Sequence, residues 1–238
     1  MGRKDLSWLT AHPIAHRGFH DLARGVPENS LAAFQAAVDA RYAIECDLHP
    51  SSDGVPMVFH DDELGRLTGL SGGVRELTAA ELSSLQLTRT RERIPRLADL
   101  LDLVQGRVPL VIELKHMVGR DAGFARTVVD ALRNYHGPVA LMSFDPALIA
   151  DVRAVAPNLP RGLTAEGDWR SASQHLNTTL RLKVDFISYA IDDLPTPFPV
   201  FARRVLRVPL ICWTVSTPAQ LAKASAWTDQ ITFEGFAA

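Results

Sequence analysis

Three acidic side chains lie inside apolar runs, where a carboxylate has few polar neighbours. Glu45 and Asp47 share one run, and Glu113 lies in another. Because successive side chains of a strand alternate between its two faces, Glu45 and Asp47 point the same way. A buried carboxylate is costly unless it is paired or bound to metal, and oxygen ligands suit a hard divalent ion such as Mg²⁺ or Ca²⁺. The alternative is a structural salt bridge, for instance between Glu113 and Lys115 on one face.

Two histidines flank these acids in the sequence, and each ends a short apolar run. His16 and His60 are typical of a general acid and general base pair, because imidazole titrates near neutral pH. Either one alone is also explained as a structural histidine, but the position of both beside the carboxylates favours catalysis. Arg17 offers a planar set of donors suited to a phosphate, and Gly18 allows a ligand or backbone to approach closely. We interpret His49 as a solvated histidine at a strand end.

These residues lie in a chain of alternating strand-like and helix-like segments. The strand-like runs cover residues 13–17, 43–49, 110–115, 139–144, 159–165, 185–191, 209–215 and 230–233. Helical periodicity covers 30–40 and 121–135, and Asp145-Pro146 and Thr217-Pro218 are typical of helix starts. Alternation of this kind predicts an α/β fold, a parallel (β/α)₈ barrel of the TIM type. A doubly wound open sheet is the alternative.

The alternation breaks once, after the second strand. The segment at about 61–95 contains Gly69, Gly72 and Gly73 and no clear strand–helix unit, so we predict a small insertion there that forms a lid. No internal repeat or linker divides the chain. We therefore predict one domain over residues 1–238.

Charge and composition narrow the classes of partner. The chain has 25 Lys plus Arg against 27 Asp plus Glu, a net charge of −2. This balance gives no bulk attraction to nucleic acid or to an anionic membrane. No apolar run is long enough for a membrane span, and the first residues do not resemble a signal peptide. We expect a cytoplasmic protein without stable membrane insertion, in which Cys46 and Cys212 are buried reduced thiols.

The order of the motifs resembles that of the glycerophosphodiester phosphodiesterase family. The residues that carry this resemblance are His16-Arg17-Gly18, Pro27-Glu28-Asn29-Ser30, Glu45-Cys46-Asp47, Phe59-His60-Asp61, Glu113-Leu114-Lys115 and Trp213-Thr214-Val215. It covers nearly the whole chain, and the family is a (β/α)₈ barrel with an insertion after its second strand. The chain departs from the family after the last strand, where Glu234 stands in place of the more usual Asp. The resemblance therefore assigns Glu234 no role.

The resemblance implies an activity and a set of roles. The activity is metal-dependent hydrolysis of small glycerophosphodiesters to glycerol 3-phosphate and an alcohol. Glu45, Asp47 and Glu113 resemble the ligands of one divalent cation, Mg²⁺ or Ca²⁺. His16 and His60 resemble the acid–base pair, without an assignment of which is acid and which is base. The nucleophile is either water or the neighbouring glycerol hydroxyl.

Other positions resemble those that contact substrate. Arg17 and Lys115 match residues that bind the phosphate, and Trp213 matches an aromatic wall beside the glycerol. Glu28 and Asn29 are expected to hold the first loop. The partner is then a small molecule, with no role for nucleic acid, and the sequence does not specify an oligomeric state.

Two alternatives stay open. The first is lysophospholipase D-type cleavage of lysophospholipids, which needs an apolar groove for the acyl chain. Four leucines of the insertion could form either such a groove or the core of a lid, namely Leu64, Leu67, Leu70 and Leu77. The second is a barrel that binds phosphodiesters without catalysis. A basic cluster in the insertion could be a solvated face or a rim that steers phosphate, and its members are Arg89, Arg91, Arg93 and Arg96.

Overall fold

The computed structural model describes residues 4–88 and 90–238, so Arg89 of the basic cluster lies outside the described residues. In chain order the helices and strands are α1 (Ser7–Ala11), β1 (Ile14–Ala15), α2 (Leu31–Asp39), β2 (Ala43–Pro50), β3 (Pro56–Val58), α3 (Gly65–Thr68), α4 (Ala79–Ser84), α5 (Leu97–Val104), β4 (Leu110–Leu114), α6 (Phe124–Ala131), β5 (Val139–Ser143), α7 (Pro146–Val155), β6 (Arg161–Ala165), α8 (Ala172–Leu182), β7 (Phe186–Ala190), α9 (Pro197–Arg204), β8 (Leu210–Val215), α10 (Pro218–Trp227) and β9 (Gln230–Phe233).

All of these strands except β3 form one closed parallel sheet. Neighbours along the sheet follow the chain order from β4 to β9. Because β1 pairs in parallel with both β2 and β9, the sheet has no open edge at this point. The chain is thus a (β/α)₈ barrel, as predicted, and the open-sheet alternative is wrong. Each predicted strand-like run coincides with a barrel strand.

Short polar residues start the helices that follow the strands. The side chain of Ser30 accepts a hydrogen bond from the backbone N–H of Ala33 at the start of α2. Asp145 caps α7 and Thr217 caps α10 in the same way, each followed by a proline in the first turn. Such caps satisfy backbone donors that have no partner inside the helix. They fix where each loop at the carboxyl end of the barrel gives way to a helix.

The barrel interior is filled with apolar side chains at one end only. Ile14, Val111, Phe186 and Ile211 pack there, and Leu9 of α1 belongs to the same cluster. A second and larger core lies between the strands and the helices around them, and it includes the two cysteines, which are buried and unpaired. The carboxyl ends of the strands are therefore left for polar residues, as in other barrels of this type.

The insertion lies between β2 and α5 and has a small core of its own. It begins before residue 61, because β3 pairs antiparallel with the end of β2. Met57, Phe59, Leu64 and Leu82 are fully buried in this core. The insertion is thus a packed unit on the barrel. Among the described residues, no helix is both long enough and apolar enough to cross a bilayer.

Candidate active site

Glu45, Asp47 and Glu113 come together at the carboxyl end of the barrel. The strands β2 and β4 are neighbours, and their register places Asp47 opposite Glu113. Glu45 lies on the same inward face, because the residues that alternate with it pack outward against the helices. All three side chains are buried, and one oxygen of each lies within 4.8 Å of the others. The structure brings together the acids that the sequence singled out.

Lys115 contributes a positive charge to this group. Its Nζ lies 2.9 Å from Oδ1 of Asp47 and 2.6 Å from Oε1 of Glu113. The salt bridge considered for Glu113 therefore exists, but it does not account for Glu45. Among the described residues Glu45 forms no ion pair with a lysine or arginine, and it accepts one hydrogen bond, from the backbone N–H of Arg17 at 3.0 Å. Lys115 and Arg17, whose Nε lies 3.4 Å from Oδ2 of Asp47, bring two positive charges to three acids, and Arg17 is shared with Glu28, so the set is short of positive charge.

The pKa values of the acids show the same shortage. Burial and the nearby Asp47 and Glu113 carboxylates raise the pKa of Glu45 well above its usual range. Burial also raises the pKa of Glu113, to about 7, against the opposing effect of Lys115. Burial would raise the pKa of Asp47 as well, but Lys115 and Arg17 outweigh it and hold that pKa well below the usual range. Two of the three carboxyls thus need more positive charge to stay ionised at low cost.

These three side chains fit a hard divalent cation. They supply only oxygen donors, they share one buried pocket, and their charge is incompletely balanced by the protein. Such a set matches the ligand preference of Mg²⁺ and Ca²⁺. Glu45, Asp47 and Glu113 could therefore hold a cation.

Each of the two predicted catalytic histidines is held at Nδ1 by a carboxylate. Nδ1 of His16 lies 2.8 Å from Oε2 of Glu234, and Nδ1 of His60 lies 2.7 Å from Oδ1 of Asp61. Because an ionised carboxylate only accepts hydrogen bonds, both rings carry their proton on Nδ1 when neutral. The Nε2 atoms are then free to exchange a proton, and that of His16 lies 4.0 Å from Oε2 of Glu45.

Burial gives His60 a further property. It lowers the pKa of this imidazole, and the positive charges of Lys115 and Arg17 act in the same direction, whereas Asp47 and Asp61 oppose them. A lowered pKa favours the neutral ring near pH 7. His60 can therefore accept a proton at this pH.

The first loop presents Arg17 to the same acids. Nε of Arg17 lies 3.4 Å from Oδ2 of Asp47, and Nη1 donates to Oε1 of Glu28 at 2.7 Å. Arg17 itself adopts a left-handed backbone conformation with φ of 54°, which a side chain of this size rarely occupies. At Gly18, with φ of 80°, a Cβ would lie 2.9 Å from the carbonyl carbon of Ala33. Glycine is therefore needed at position 18, because the backbone of Ala33 lies too close to leave room for a side chain.

Asn29 connects this loop to the acids. Its Nδ2 donates to Oδ2 of Asp47 at 2.9 Å, and its backbone N–H donates to the carbonyl of Arg17 at 2.9 Å. Asn29 also adopts a positive φ, of 53°. Its side chain is buried, and it contacts the acids from the side of the first loop.

Aromatic side chains form the wall across from the acids. Trp213 donates from Nε1 to the carbonyl of Ser188 at 3.2 Å, which fixes its ring. Phe144 stands edge-on to Trp213, with ring centroids 5.6 Å apart, and it is exposed. Between this wall and the charged residues lies a cleft of about 100 Å³, whose lining residues include His16, Arg17, Glu45, Asp47, His60, Glu113, Lys115, Phe144 and Trp213. One side of the cleft is thus charged and the other is largely neutral.

The interpretation of His49 as a solvated histidine is wrong. This side chain is fully buried, because the insertion covers the end of β2. Nε of Arg75 donates to its Nδ1 at 3.2 Å, and its Nε2 lies 3.1 Å from the carbonyl oxygen of His60. Since an arginine only donates, the proton of the neutral His49 ring must be on Nε2. Burial lowers the pKa of His49 to about 4.

The insertion residues considered for substrate contact lie elsewhere. Leu64 and Leu67 are buried in the insertion core and Leu77 packs against it, so only Leu70 is exposed and the four do not form an acyl-chain groove. Of the basic cluster, Arg96 pairs with Asp99 at the start of α5. The other two described arginines, Arg91 and Arg93, line a separate surface groove with Arg96. The described part of this cluster is a solvated face and not a rim of the cleft.

Three residues with contacts in the site were given no role by the sequence analysis, namely Asp61, Arg66 and Glu234. Asp61 directly follows His60, so its position beside a candidate catalytic residue was a signal that could have been used. Glu234 directly follows the last barrel strand, where side chains reach the cleft. Arg66 lies in the short helix α3, within the segment whose sequence shows no regular period, and nothing in its sequence context places it near the site.

A second group of metal-ligand residue types lies on adjacent loops. It consists of His116, Asp121 and Asp145. Their donor atoms are already used, because both acids contact Nδ1 of His116, Asp121 accepts from Arg75 and Asp145 caps α7. These contacts hold the adjacent loops together, and this structural role accounts for the group.

Known proteins resemble this chain over most of its length. The sequence profile described as the glycerophosphoryl diester phosphodiesterase family matches residues 16–235. The glycerophosphodiester phosphodiesterase of Caldanaerobacter subterraneus subsp. tengcongensis is 32% identical over 160 residues, which cover 63% of this chain. The same alignment spans 65% of that relative's own length.

Solved structures share the fold. A phosphodiesterase of Oleispira antarctica, in complex with the product sn-glycerol-3-phosphate, has a TM-score of 0.81 at 22% identity, over 95% of this chain and 94% of the other. The glycerophosphodiester phosphodiesterase of Thermotoga maritima has a TM-score of 0.76 at 23% identity, over 92% of each chain. At these identities the similarity establishes the barrel architecture.

Proposed function

The chain belongs to the glycerophosphoryl diester phosphodiesterase family, and on that premise we propose that it hydrolyses small glycerophosphodiesters with the help of one divalent cation. In this reaction water is added, the P–O bond to the alcohol breaks, and glycerol 3-phosphate and the free alcohol are released. The observation that carries the proposal is the meeting of three buried carboxylates with two carboxylate-bound histidines at one cleft.

Glu45, Asp47 and Glu113 would hold the cation, which is Mg²⁺ or Ca²⁺. When bound, it supplies positive charge to the phosphoryl oxygens, whose negative charge grows as a nucleophile adds to phosphorus. It would also balance the charge of the buried carboxyls that Lys115 and Arg17 leave uncompensated. The fit rests on the oxygen-only donor set and on its burial.

Arg17 and Lys115 would bind the phosphate from the charged side of the cleft. The guanidinium of Arg17 is anchored at Nη1 by Glu28, which limits the orientations of its remaining donors. Lys115 brings an ammonium group to the same acids. Fixed positive groups of this kind stabilise charge that develops in the transition state without reorganising.

His16 and His60 would divide the proton transfers. One takes the proton of the nucleophile, and the other protonates the alcohol oxygen, which leaves poorly as an alkoxide. The carboxylates at Nδ1 keep each Nε2 ready for this exchange. The nucleophile is water or the neighbouring hydroxyl of the glycerol, the latter through a cyclic phosphate. Trp213 would pack against the glycerol on the neutral side of the cleft.

Release of glycerol 3-phosphate from glycerophosphocholine tests this proposal. We expect turnover by the wild type, and a loss of about 10²- to 10⁴-fold in His16→Gln and in His60→Gln. His12→Gln is the matched control, because His12 lies at the end of α1 away from the cleft. Wild-type rates in both cleft variants would contradict the acid–base roles.

A micellar lysophospholipid serves as the comparison substrate. Because the insertion leucines are mostly buried in their own core, we expect slower turnover of the micellar substrate than of glycerophosphocholine. Faster turnover of the lysophospholipid would reverse the proposed substrate class. Saturable binding of glycerophosphocholine without any turnover would favour a non-catalytic barrel.

A further inference from the structure

Arg66 of the insertion joins two carboxylates that belong to different loops. Its Nε and Nη2 donate to Oδ2 and Oδ1 of Asp61 at 2.6 and 2.9 Å. Its Nη1 and Nη2 donate to Oε2 and Oε1 of Glu28 at 2.8 and 2.8 Å. One guanidinium therefore makes a two-bond contact with each acid, using both edges of its planar group.

Each of these carboxylates contacts a residue of the cleft on its other side. Oδ1 of Asp61 lies 2.7 Å from Nδ1 of His60, and Oε1 of Glu28 lies 2.7 Å from Nη1 of Arg17. Arg66 is therefore one residue away from a proposed acid–base group and from a proposed phosphate-binding group. It does not line the cleft itself.

The charges explain why a single arginine links the two acids. Without it, Asp61 and Glu28 would face each other as two anions, and each would be free to turn away from its partner in the cleft. Burial would raise the pKa of both Glu28 and Asp61, but the hydrogen bonds and charge of Arg66, together with Arg17 at Glu28 and His60 at Asp61, outweigh it and lower both pKa values, that of Asp61 to about 2. Both therefore stay ionised and keep accepting hydrogen bonds over the whole neutral range.

We propose that Arg66 is a positioning residue that orients His60 through Asp61 and Arg17 through Glu28, so that the insertion sets both groups for the same phosphodiester. The inference rests on the proposed function, and it adds a role for the insertion, which is to tie the loop after β1 to the segment after β3. A lysine at this position would supply a point charge but not two pairs of parallel hydrogen bonds. Substitution of residues that orient metal ligands from outside typically lowers activity by about 10- to 100-fold, and we expect an effect of similar size for Arg66.

The alternative is that Arg66 only staples the insertion to the barrel. The two roles differ in their kinetic signature. If Arg66 acts through Asp61, Arg66→Met and Asp61→Asn should both lower kcat, and the double variant should lose little more than either alone. If it also acts through Glu28, Arg66→Met and Glu28→Gln should both raise KM. A mere staple would lower the melting temperature and leave kcat and KM of the folded protein unchanged.

The experiment compares Arg66→Met with Arg66→Lys and with the control Arg24→Met. Arg24 lies on the first loop and is largely exposed, so its loss should leave kcat and KM within twofold. We expect Arg66→Met to lower kcat/KM by about 10- to 100-fold, with changes in both parameters, and Arg66→Lys to recover only part of the loss. Unchanged kcat and KM in Arg66→Met would overturn the inference.

A spectroscopic readout separates failure of this inference from failure of the proposed function. In the wild type, NMR of ¹⁵N-labelled histidine should show a proton on Nδ1 of His60, bonded to Asp61. We expect Arg66→Met to shift or broaden this signal, and Arg24→Met to leave it unchanged. An inactive wild type would reject the proposed function, while an unchanged His60 signal in Arg66→Met would reject the positioning role.

Discussion

Nδ1 of His16 lies 2.8 Å from Oε2 of Glu234, although the two residues are at opposite ends of the sequence. The closure of the barrel explains this, because β1 pairs in parallel with β9 and Ala15 lies opposite Phe233. His16 and Glu234 are the residues that directly follow β1 and β9 at the carboxyl ends of these strands. The hydrogen bond with His16, together with the imidazole of His20 at 3.7 Å, holds the pKa of Glu234 well below its usual range. An ionised carboxylate therefore fixes the orientation and the tautomer of His16.

Glu234→Gln should lower kcat by about 10- to 100-fold, because a neutral amide can either donate or accept and no longer fixes the proton on Nδ1 of His16. The measurement is steady-state release of glycerol 3-phosphate. The matched control is Glu166→Gln, which alters an exposed carboxylate on another loop at the carboxyl end of the barrel. A Glu234→Gln variant that is as active as the control would show that His16 needs no such partner.

Glu45→Gln should separate metal binding from folding. The pKa of Glu45 is raised by burial and by its acidic neighbours, so removing its charge should leave the metal-free protein at least as stable as the wild type. The wild type should gain about 2.7 kcal/mol at a cation concentration of 100 Kd, and the variant should gain much less. Thermal unfolding with and without Mg²⁺ or Ca²⁺ measures both quantities. An undiminished cation-dependent shift in Glu45→Gln would remove this residue from the ligand set.

His49 should make stability depend on pH below neutrality. Its pKa is about 4 in the folded protein, against 6.5 without burial. Between these values the unfolded chain binds a proton at His49 that the folded chain does not, so the contribution of His49 to the free energy of unfolding decreases as pH falls from 6.5 to about 4 and is constant above that window. The contribution of this one group is at most about 3 kcal/mol.

The measurement for His49 is the free energy of unfolding by denaturant between pH 7.5 and pH 4. His49→Gln keeps one donor and one acceptor for His60 and Arg75 but does not titrate. We expect the difference in stability between wild type and variant to shrink as the pH is lowered. A difference that is constant with pH would show that His49 does not titrate on unfolding.

Much of the fold and the centre of the site could be predicted from local pattern. Strand periodicity alone puts Glu45 and Asp47 on one face, and apolar runs of branched residues locate the barrel strands. Glu113 joins them because consecutive parallel strands of a barrel are neighbours. These inferences need only the alternation of side chains and the order of elements.

The remaining contacts involve parts of the chain whose position cannot be predicted from sequence periodicity. Glu234 meets His16 only because the sheet closes, and β8 and β9 pair with an irregular register. His49 becomes buried because the insertion covers the end of β2, and the insertion has no regular period. Arg66 reaches Glu28 across two loops, and no spacing in the sequence relates those two residues.

The most direct test of the account is release of glycerol 3-phosphate from glycerophosphocholine by the wild-type protein with Mg²⁺, with Ca²⁺ and after dialysis against a chelator. We expect release with at least one of the two ions, loss of release in chelator, and recovery when that ion is restored. Undiminished turnover after complete removal of divalent ions would show that Glu45, Asp47 and Glu113 do not act by holding a cation.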